Sequence, residues 1–319
     1  MSGSRPAEVP LTDGYRSRFV NWYAKASVRA KPRRVLAPEE AIGCYFPPEL
    51  FPAAGHPLVA AQGAAAVDRL LIHRLYDYLR FTAQLEDFAV IPTAIDLSGG
   101  RSGLELPAGM RRDAYKIVTD EAWHAQFSDD LLQQVITATE VSPVLPAGPQ
   151  FLGELDSVRD RLDPAVRGAD RLLFAVVSET LISSILVGLP RDRRLPRAVR
   201  EVVADHAEDE GKHHAYFRDL LQIFWWTLEP RERRLLGPFV PELIHAFLQP
   251  DFPAIAGALA DVGLTPAEAE QVIIESYPSQ PTTASIAAAA QSCIRYFTEV
   301  GALDDAETRE SFEKAGLVQ

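Results

Sequence analysis

The chain spells one five-residue motif twice, Asp120-Glu121-Ala122-Trp123-His124 and Asp209-Glu210-Gly211-Lys212-His213. Both read D-E-x-x-H. On a helix, Glu and His at i and i+3 lie about 60° apart on one face, close enough to serve one metal ion or two adjacent ones. A single such pair is common on solvated helix faces. Two copies in a chain with only seven histidines are a far more specific signal. His206 extends the second copy, because His206-x-x-x-Glu210-x-x-His213 falls within about 60° of arc on one helix face. Carboxylate-rich bundles that hold two iron or manganese ions use this pattern: Glu-x-x-His from each of two helices and one further Glu from each of two others.

The two further glutamates must stand on helices of their own. Glu179 is the only charge in the stretch 172–189, LLFAVVSETLISSILVGL. An uncompensated carboxylate in an apolar core costs several kcal/mol, so Glu179 requires a proton, a cation or a metal. Glu86 is the second candidate. Its helical neighbours Leu79, Thr82, Ala83, Ala89 and Val90 are apolar or small, whereas adjacent Asp87 falls with Arg80 on a solvated face. Asp120 and Asp209 each precede a motif histidine by four residues and are expected behind the imidazoles, reaching across to the opposite helix and fixing tautomers. His56, His73 and His245 show no ligand spacing and read as ordinary residues, and His214 points about 100° away from His213.

These residues need long helices to carry them, and the composition supplies them. The 319 residues are 47% hydrophobic and 24% charged with a net charge of −12. That excludes disorder and disfavours nucleic acid or an anionic membrane as partner. Cys44 and Cys293 stand alone, giving neither a disulfide scaffold nor a thiolate zinc site, and a cytoplasmic setting is expected. The start has no signal-peptide pattern, and the chain is read as mature. The expectation is a polar tail over 1–12 and a single all-helical domain over 13–319, with the metal-site core at about 58–228.

Helices are predicted over 14–29, 58–89, 110–139, a short segment ending near 162, 165–189, 197–228, 229–247, 265–277 and 282–300. The connector 31–57 carries too many prolines for a helix, and Ile91-Pro92 marks a stop or kink. Thr265-Pro266-Ala267-Glu268 is a capping box with proline at the first helical position. No alternating strand pattern appears. Segment 172–189 borders on a membrane span by hydropathy, but reads better as a central helix buried on all sides.

In Glu86, Asp120-Glu121-x-x-His124, Glu179 and His206-x-x-x-Glu210-x-x-His213, the chain resembles the di-iron N-oxygenases related to p-aminobenzoate N-oxygenase. The motifs cover about residues 78–217. The resemblance implies a ferritin-like helical bundle, commonly a homodimer, with two irons held by four carboxylates and three histidines. It implies that Glu121 and Glu210 bridge the irons, that Glu86 and His124 complete one, and that Glu179, His206 and His213 complete the other. The implied reaction is O2-dependent oxidation of a small, aromatic amine to hydroxylamine, nitroso or nitro product through a peroxo di-iron species, in secondary metabolism, with an unidentified electron donor. Two ferrous ions balance four glutamates, so such a site can sit in an apolar core. The donor set suits iron, with manganese as the other fit.

Residues one or two turns from the ligands are the candidates for the substrate pocket: Tyr78, Thr82, Ile117, Ser183 and Phe217. Arg295, in an otherwise apolar stretch, is a candidate for a substrate carboxylate, against the commoner role of pairing with a structural acid. The competing readings are a C–H hydroxylase or desaturase on the same scaffold, a ribonucleotide reductase small subunit, an iron-storage protein, and a non-enzymatic helical protein. The reductase normally has a radical tyrosine one turn after the first motif's histidine, where this chain has Ser128.

Overall fold

The computed structural model describes residues 14–40, 43–186 and 188–318, the side chains of 183–186 excepted. The expected tail over 1–12 lies outside the described residues. Among the described residues all regular structure is helical.

The helix expected over 14–29 is instead two single turns, α1 (Trp22–Lys25) and α2 (Ser27–Ala30). Ala26 between them is extended, at ψ 139°, which leaves the Ser27 N–H free to leave the helical ladder. The proline-rich connector forms 3-10 turns at Pro38–Glu40, Pro48–Leu50 and Pro52–Gly55. One turn, α3 (Pro57–Ala60), precedes α4 (Ala64–Leu85), and Gly63 separates them at φ 93°, where a side chain would be strained.

The chain does not stop at Pro92. It passes from α4 through a π turn (Glu86–Val90) into α5 (Ile91–Ser98). Pro92 has no N–H, and in an α-helix its ring would crowd the carbonyl of Phe88. The wider turn just before it absorbs that misfit, and its first residue is Glu86.

Next come α6 (Ala108–Thr139), α7 (Gln150–Arg161), α8 (Ala169–Leu186) and α9 (Arg197–Thr227). In α8, Leu173 to Val177 are all fully buried, so this helix is apolar because it is covered all round. No described helix is long and apolar enough to cross a membrane. The expected helix over 229–247 is broken into α10 (Pro230–Leu236) and α11 (Val240–Leu248), because Pro238 and Pro241 cannot continue the ladder. Besides α5, two helices were not expected: α12 (Phe252–Asp261) and, after α13 (Pro266–Ser276) and α14 (Ser279–Glu299), α15 (Ala306–Lys314). Pro253 reads as a breaker in α12, but it occupies the first turn, where its missing N–H costs nothing, and Asp251 caps the Ala254 N–H. The Thr265 capping box opens α13 as predicted.

The packing closes into a four-part bundle. α4 and α5 lie on α6, α6 on α9, α9 on α8, and α8 returns to the π turn and α5. This is the all-α, ferritin-like arrangement. α7, α11 and α14 cover the outer side of α8, and α2 bridges α6 and α9 beside Asp209.

Candidate metal centre

Each wall of the bundle turns acids or imidazoles inward. Glu86 comes from the π turn, Glu121 and His124 from α6, Glu179 from α8, and His206, Glu210 and His213 from α9, and none is more than 1% exposed. Asp87 points to solvent, as the periodicity requires. The donor atoms converge. Those of Glu121, His124, Glu210 and His213 lie within 4.8 Å of one another, as do those of Glu86, His124 and His206, and those of Glu86, Glu121 and Glu179.

Glu121 and Glu210 occupy the middle. Glu121 lies 2.7 Å from Nδ1 of His124 and 2.7 Å from Nδ1 of His213. Glu210 lies 3.4 Å from His124, 3.2 Å from His213 and 3.2 Å from Nε2 of His206. His206 differs from the position that the resemblance implies: its donor groups with Glu86 and His124, its ring centroid being 4.4 Å from that of His124. Glu179 instead faces His213, at 3.8 Å.

Many of these atoms lack hydrogen bonds although fully buried: Glu86 Oε2, Glu121 Oε1, Glu179 Oε2, Glu210 Oε2 and His206 Nε2. Several are close to one another but misaligned for bonding, because they aim at a shared space rather than at each other. Buried polar groups left this way are costly unless something else satisfies them. Carboxylate oxygens with imidazole nitrogens and no thiolate suit iron or manganese, so the residues fit a metal cofactor.

The far sides of two imidazoles face aspartates crosswise, His213 hydrogen-bonded and His124 only near its aspartate. His213 on α9 donates through Nε2 to Asp120 on α6 (3.2 Å), and Nε2 of His124 on α6 lies 3.5 Å from Asp209 on α9. Asp120 also accepts from the indole N–H of Trp22 at 2.8 and 2.9 Å. Asp209 accepts from the Ser27 backbone N–H at 3.0 Å and from Lys212 at 2.8 Å. The break at Ala26 thus has a purpose at the site, since it points the Ser27 N–H at Asp209.

Without metal, the charges sort themselves. Burial pushes Glu86 and Glu179 well above the carboxylate range, and the neighbouring glutamates add to it. Burial opposes ionisation of Glu121 and Glu210 too, but the facing imidazoles outweigh it and hold both low. Against the burial that disfavours their charge, Glu121 and its neighbours hold His124 up to about 10 and His213 well above its ordinary value. Burial, reinforced by His124, lowers His206. The metal-free site therefore favours the protonated forms of Glu86, Glu179, His124 and His213, the same sense in which a bound cation would add positive charge.

With this geometry in place, the comparisons with known proteins are decisive. A model of the family described as "P-aminobenzoate N-oxygenase AurF" matches residues 26–301. The chain belongs to the p-aminobenzoate N-oxygenase family. A 4-aminobenzoate N-oxygenase of Streptomyces thioluteus is 23% identical over 227 residues, covering 70% of this chain and 67% of the relative. Family membership makes the protein an oxygenase enzyme, and its buried Glu and His cluster can hold the metal such an enzyme needs.

The remaining candidates divide. Tyr78 is buried with its hydroxyl unpartnered. Thr82 donates to the Tyr78 carbonyl, Ile117 is plain core, and Phe217 packs edge-on against Tyr216. The side chain of Ser183 lies outside the described residues. Arg295 is a correction: it is exposed, 3.6 Å from Glu299 and stacked over Tyr296, so it has the structural role. The ordinary histidines have ordinary partners, His56 with Glu275, His73 with Asp261, His245 with the Ala315 carbonyl. His214 bonds Tyr296. Sequence reasoning missed Trp22, Ser27 and Lys212 as the supports of the aspartates. Lys212 was legible three residues after Asp209, but nothing in spacing ties Trp22 to a residue 98 positions on.

Proposed function

We propose that this enzyme oxidises a small aromatic amine at nitrogen with O2, using two iron ions held by Glu86, Glu121, His124, Glu179, His206, Glu210 and His213. The observation that carries the reading is the set of buried, unpartnered donor atoms converging from four walls of the bundle. The name of the Streptomyces thioluteus relative supports an arylamine as substrate. Glu121 and Glu210, each facing imidazoles from both α6 and α9, would hold the metal from the middle of the site. Asp120 and Asp209 keep the Nε2 side of His213 and His124 occupied, so that Nδ1 faces inward with its lone pair.

When bound, the iron pair supplies the electrons that activate O2. The first oxidation combines the amine with O2, two electrons and two protons to give a hydroxylamine and water, so an external electron donor is required. Further rounds lead to nitroso and nitro products. The protein's own part is to exclude water around the site and to hold its charge balance while oxygen is reduced. In the test, anaerobically iron-loaded protein receives O2, a chemical reductant and a panel of arylamines, with products read by mass spectrometry. N-oxygenated product supports the reading. Oxidation only at carbon would move the enzyme to C–H hydroxylation or desaturation.

A further inference from the structure

The oxidation proposed above draws electrons from an external donor, and a hydrogen-bonded line joins the protein surface to the cluster. One oxygen, Asp120 Oδ2, accepts from the Trp22 indole N–H at 2.9 Å and from His213 Nε2 at 3.2 Å. Across the same imidazole, Nδ1 faces Glu121 at 2.7 Å in the middle of the site. From the indole to that imidazole the path crosses two hydrogen bonds and no open gap. Electrons tunnel better along such a path, because the coupling decays less through bonded and hydrogen-bonded atoms than through space. The Phe19 ring lies alongside, its centroid 5.8 Å from that of His213 and its plane tilted by 27°. The matching aspartate has no such line. Asp209 accepts from the Ser27 backbone and from Lys212, neither of which carries a ring.

The outer end of that line opens on a cationic, aromatic face. Trp22, 6% exposed, lines an open hollow of about 540 Å3 together with exposed Tyr23 and Tyr115. Arg112 and Lys116 line it too, and Arg29 lies over both Trp22 and Tyr23 at 5.9 Å. The acid in its lining, Asp113, is buried and already held by Lys116 and the Tyr15 hydroxyl, each at 2.8 Å. In a chain of net charge −12, residues 14–34 carry seven cations and no acid. Four of these pair with acids of α6 and α9. Arg16, Lys25 and Arg29 have no carboxylate partner among the described residues, and neither has Arg112. A positive face on an acidic molecule steers an acidic partner to it. The link from Trp22 to His213 gives that partner a use only if it delivers electrons.

Resting on the proposed amine oxidation, we infer that this face docks a small acidic one-electron carrier protein and that Trp22, Asp120 and His213 conduct its electrons to the metal pair. Only electrons move. The carrier loses one per encounter, two encounters return two ferric ions to ferrous, and no covalent bond of Trp22, Asp120 or His213 changes. Encounters of this kind are brief and governed by charge, which an open hollow rimmed by unpaired arginines suits.

The test uses an acidic [2Fe–2S] ferredoxin, titrated by calorimetry into metal-free protein and, once reduced, mixed with diferric protein in a stopped-flow experiment. Binding is expected, weakening at least about tenfold as ionic strength rises from about 0.01 to about 0.15 M and the screening length shrinks from about 30 to about 8 Å. Arg112→Glu is expected to weaken it at least about fivefold. Arg197→Glu, an equal change of charge at an exposed residue about 24 Å along α9 from His213, leaves it within about twofold. At saturating ferredoxin, Trp22→Phe with two irons bound is expected to be reduced at least about tenfold more slowly, because a hydrogen bond in the path becomes a gap. Reduction by dithionite, small enough to approach from any side, slows far less. No binding, or equal weakening by Arg112→Glu and Arg197→Glu, overturns the docking face. An unchanged limiting rate in Trp22→Phe, or equal slowing with dithionite, overturns the route. Ferredoxin that binds and reduces the metal while no amine is oxidised overturns the proposed function and leaves the docking face standing.

Discussion

Segments 120–124 and 209–213 are spelled alike and face each other, yet their surroundings differ. Asp120 is held by a neutral indole N–H from Trp22, while Asp209 is held by the Lys212 ammonium and the Ser27 backbone. The residue one turn before Glu121 is Ile117, a plain core side chain, while the residue one turn before Glu210 is His206. The similarity sets a pair of central acids and a pair of imidazoles. The difference adds a third imidazole to the site, and so would make the two proposed metal positions inequivalent.

The comparison breaks most severely if either central acid is removed. Glu121→Ala and Glu210→Ala are each expected to reduce bound iron to below one per chain and abolish turnover, as metal analysis will show. If one variant keeps two irons, the halves do not share their bridges.

The imidazoles give the next effect. In metal-free protein His124 is raised from 6.5 to about 10, so between these values the folded state binds more protons than the unfolded. Stability from this group is fully present below about 6.5 and is lost as pH rises through about 10. Glu86 and Glu179, raised too, act in the same sense from 4.5 upward. Urea denaturation of metal-free protein is therefore expected to show stability falling from pH 6.5 to 10. Loading with metal flattens that slope. His124→Ala flattens it in part, and His206→Ala does not, because His206 is shifted downward.

His206 and Ile117 test the asymmetry itself. His206→Ala is expected to weaken one of two metal equivalents, seen as two unequal steps in a calorimetric titration. Ile117→Ala costs about 2 to 5 kcal/mol of stability with both equivalents retained. The smallest effects lie behind the imidazoles. Asp120→Asn and Asp209→Asn are each expected to weaken metal binding by about 10- to 100-fold. Trp22→Phe, which removes only the donor to Asp120, costs about 1 to 3 kcal/mol in stability and less in metal affinity than Asp120→Asn.

The bundle and the convergence of its buried acids and imidazoles were legible because they rest on local periodicity. The spacing of Glu121 from His124, and of His206 from Glu210 and His213, is fixed by the helical turn, and Glu86 was separable from Asp87 by its neighbours alone. What was illegible depends on distant parts of the chain. The break at Ala26 is set by Asp209, and the two turns that replace a helix there bring Trp22 to Asp120. Pro92 announced a disturbance, but whether the helix would end or widen into a π turn depended on packing against α6 and α8. Arg295 sits in an apolar stretch of sequence, yet its helix face is outward, where Glu299 meets it.

The most direct test is an anaerobic titration of metal-free protein with ferrous iron in weak buffer at neutral pH, counting metal and released protons together. Two equivalents per chain and a net release of protons are predicted, since the incoming charge disfavours the protonated forms of Glu86, Glu179, His124 and His213, all of which the metal-free site favours. Binding of one equivalent or none, or two equivalents undiminished in a Glu179→Ala, His206→Ala double variant, would contradict the account.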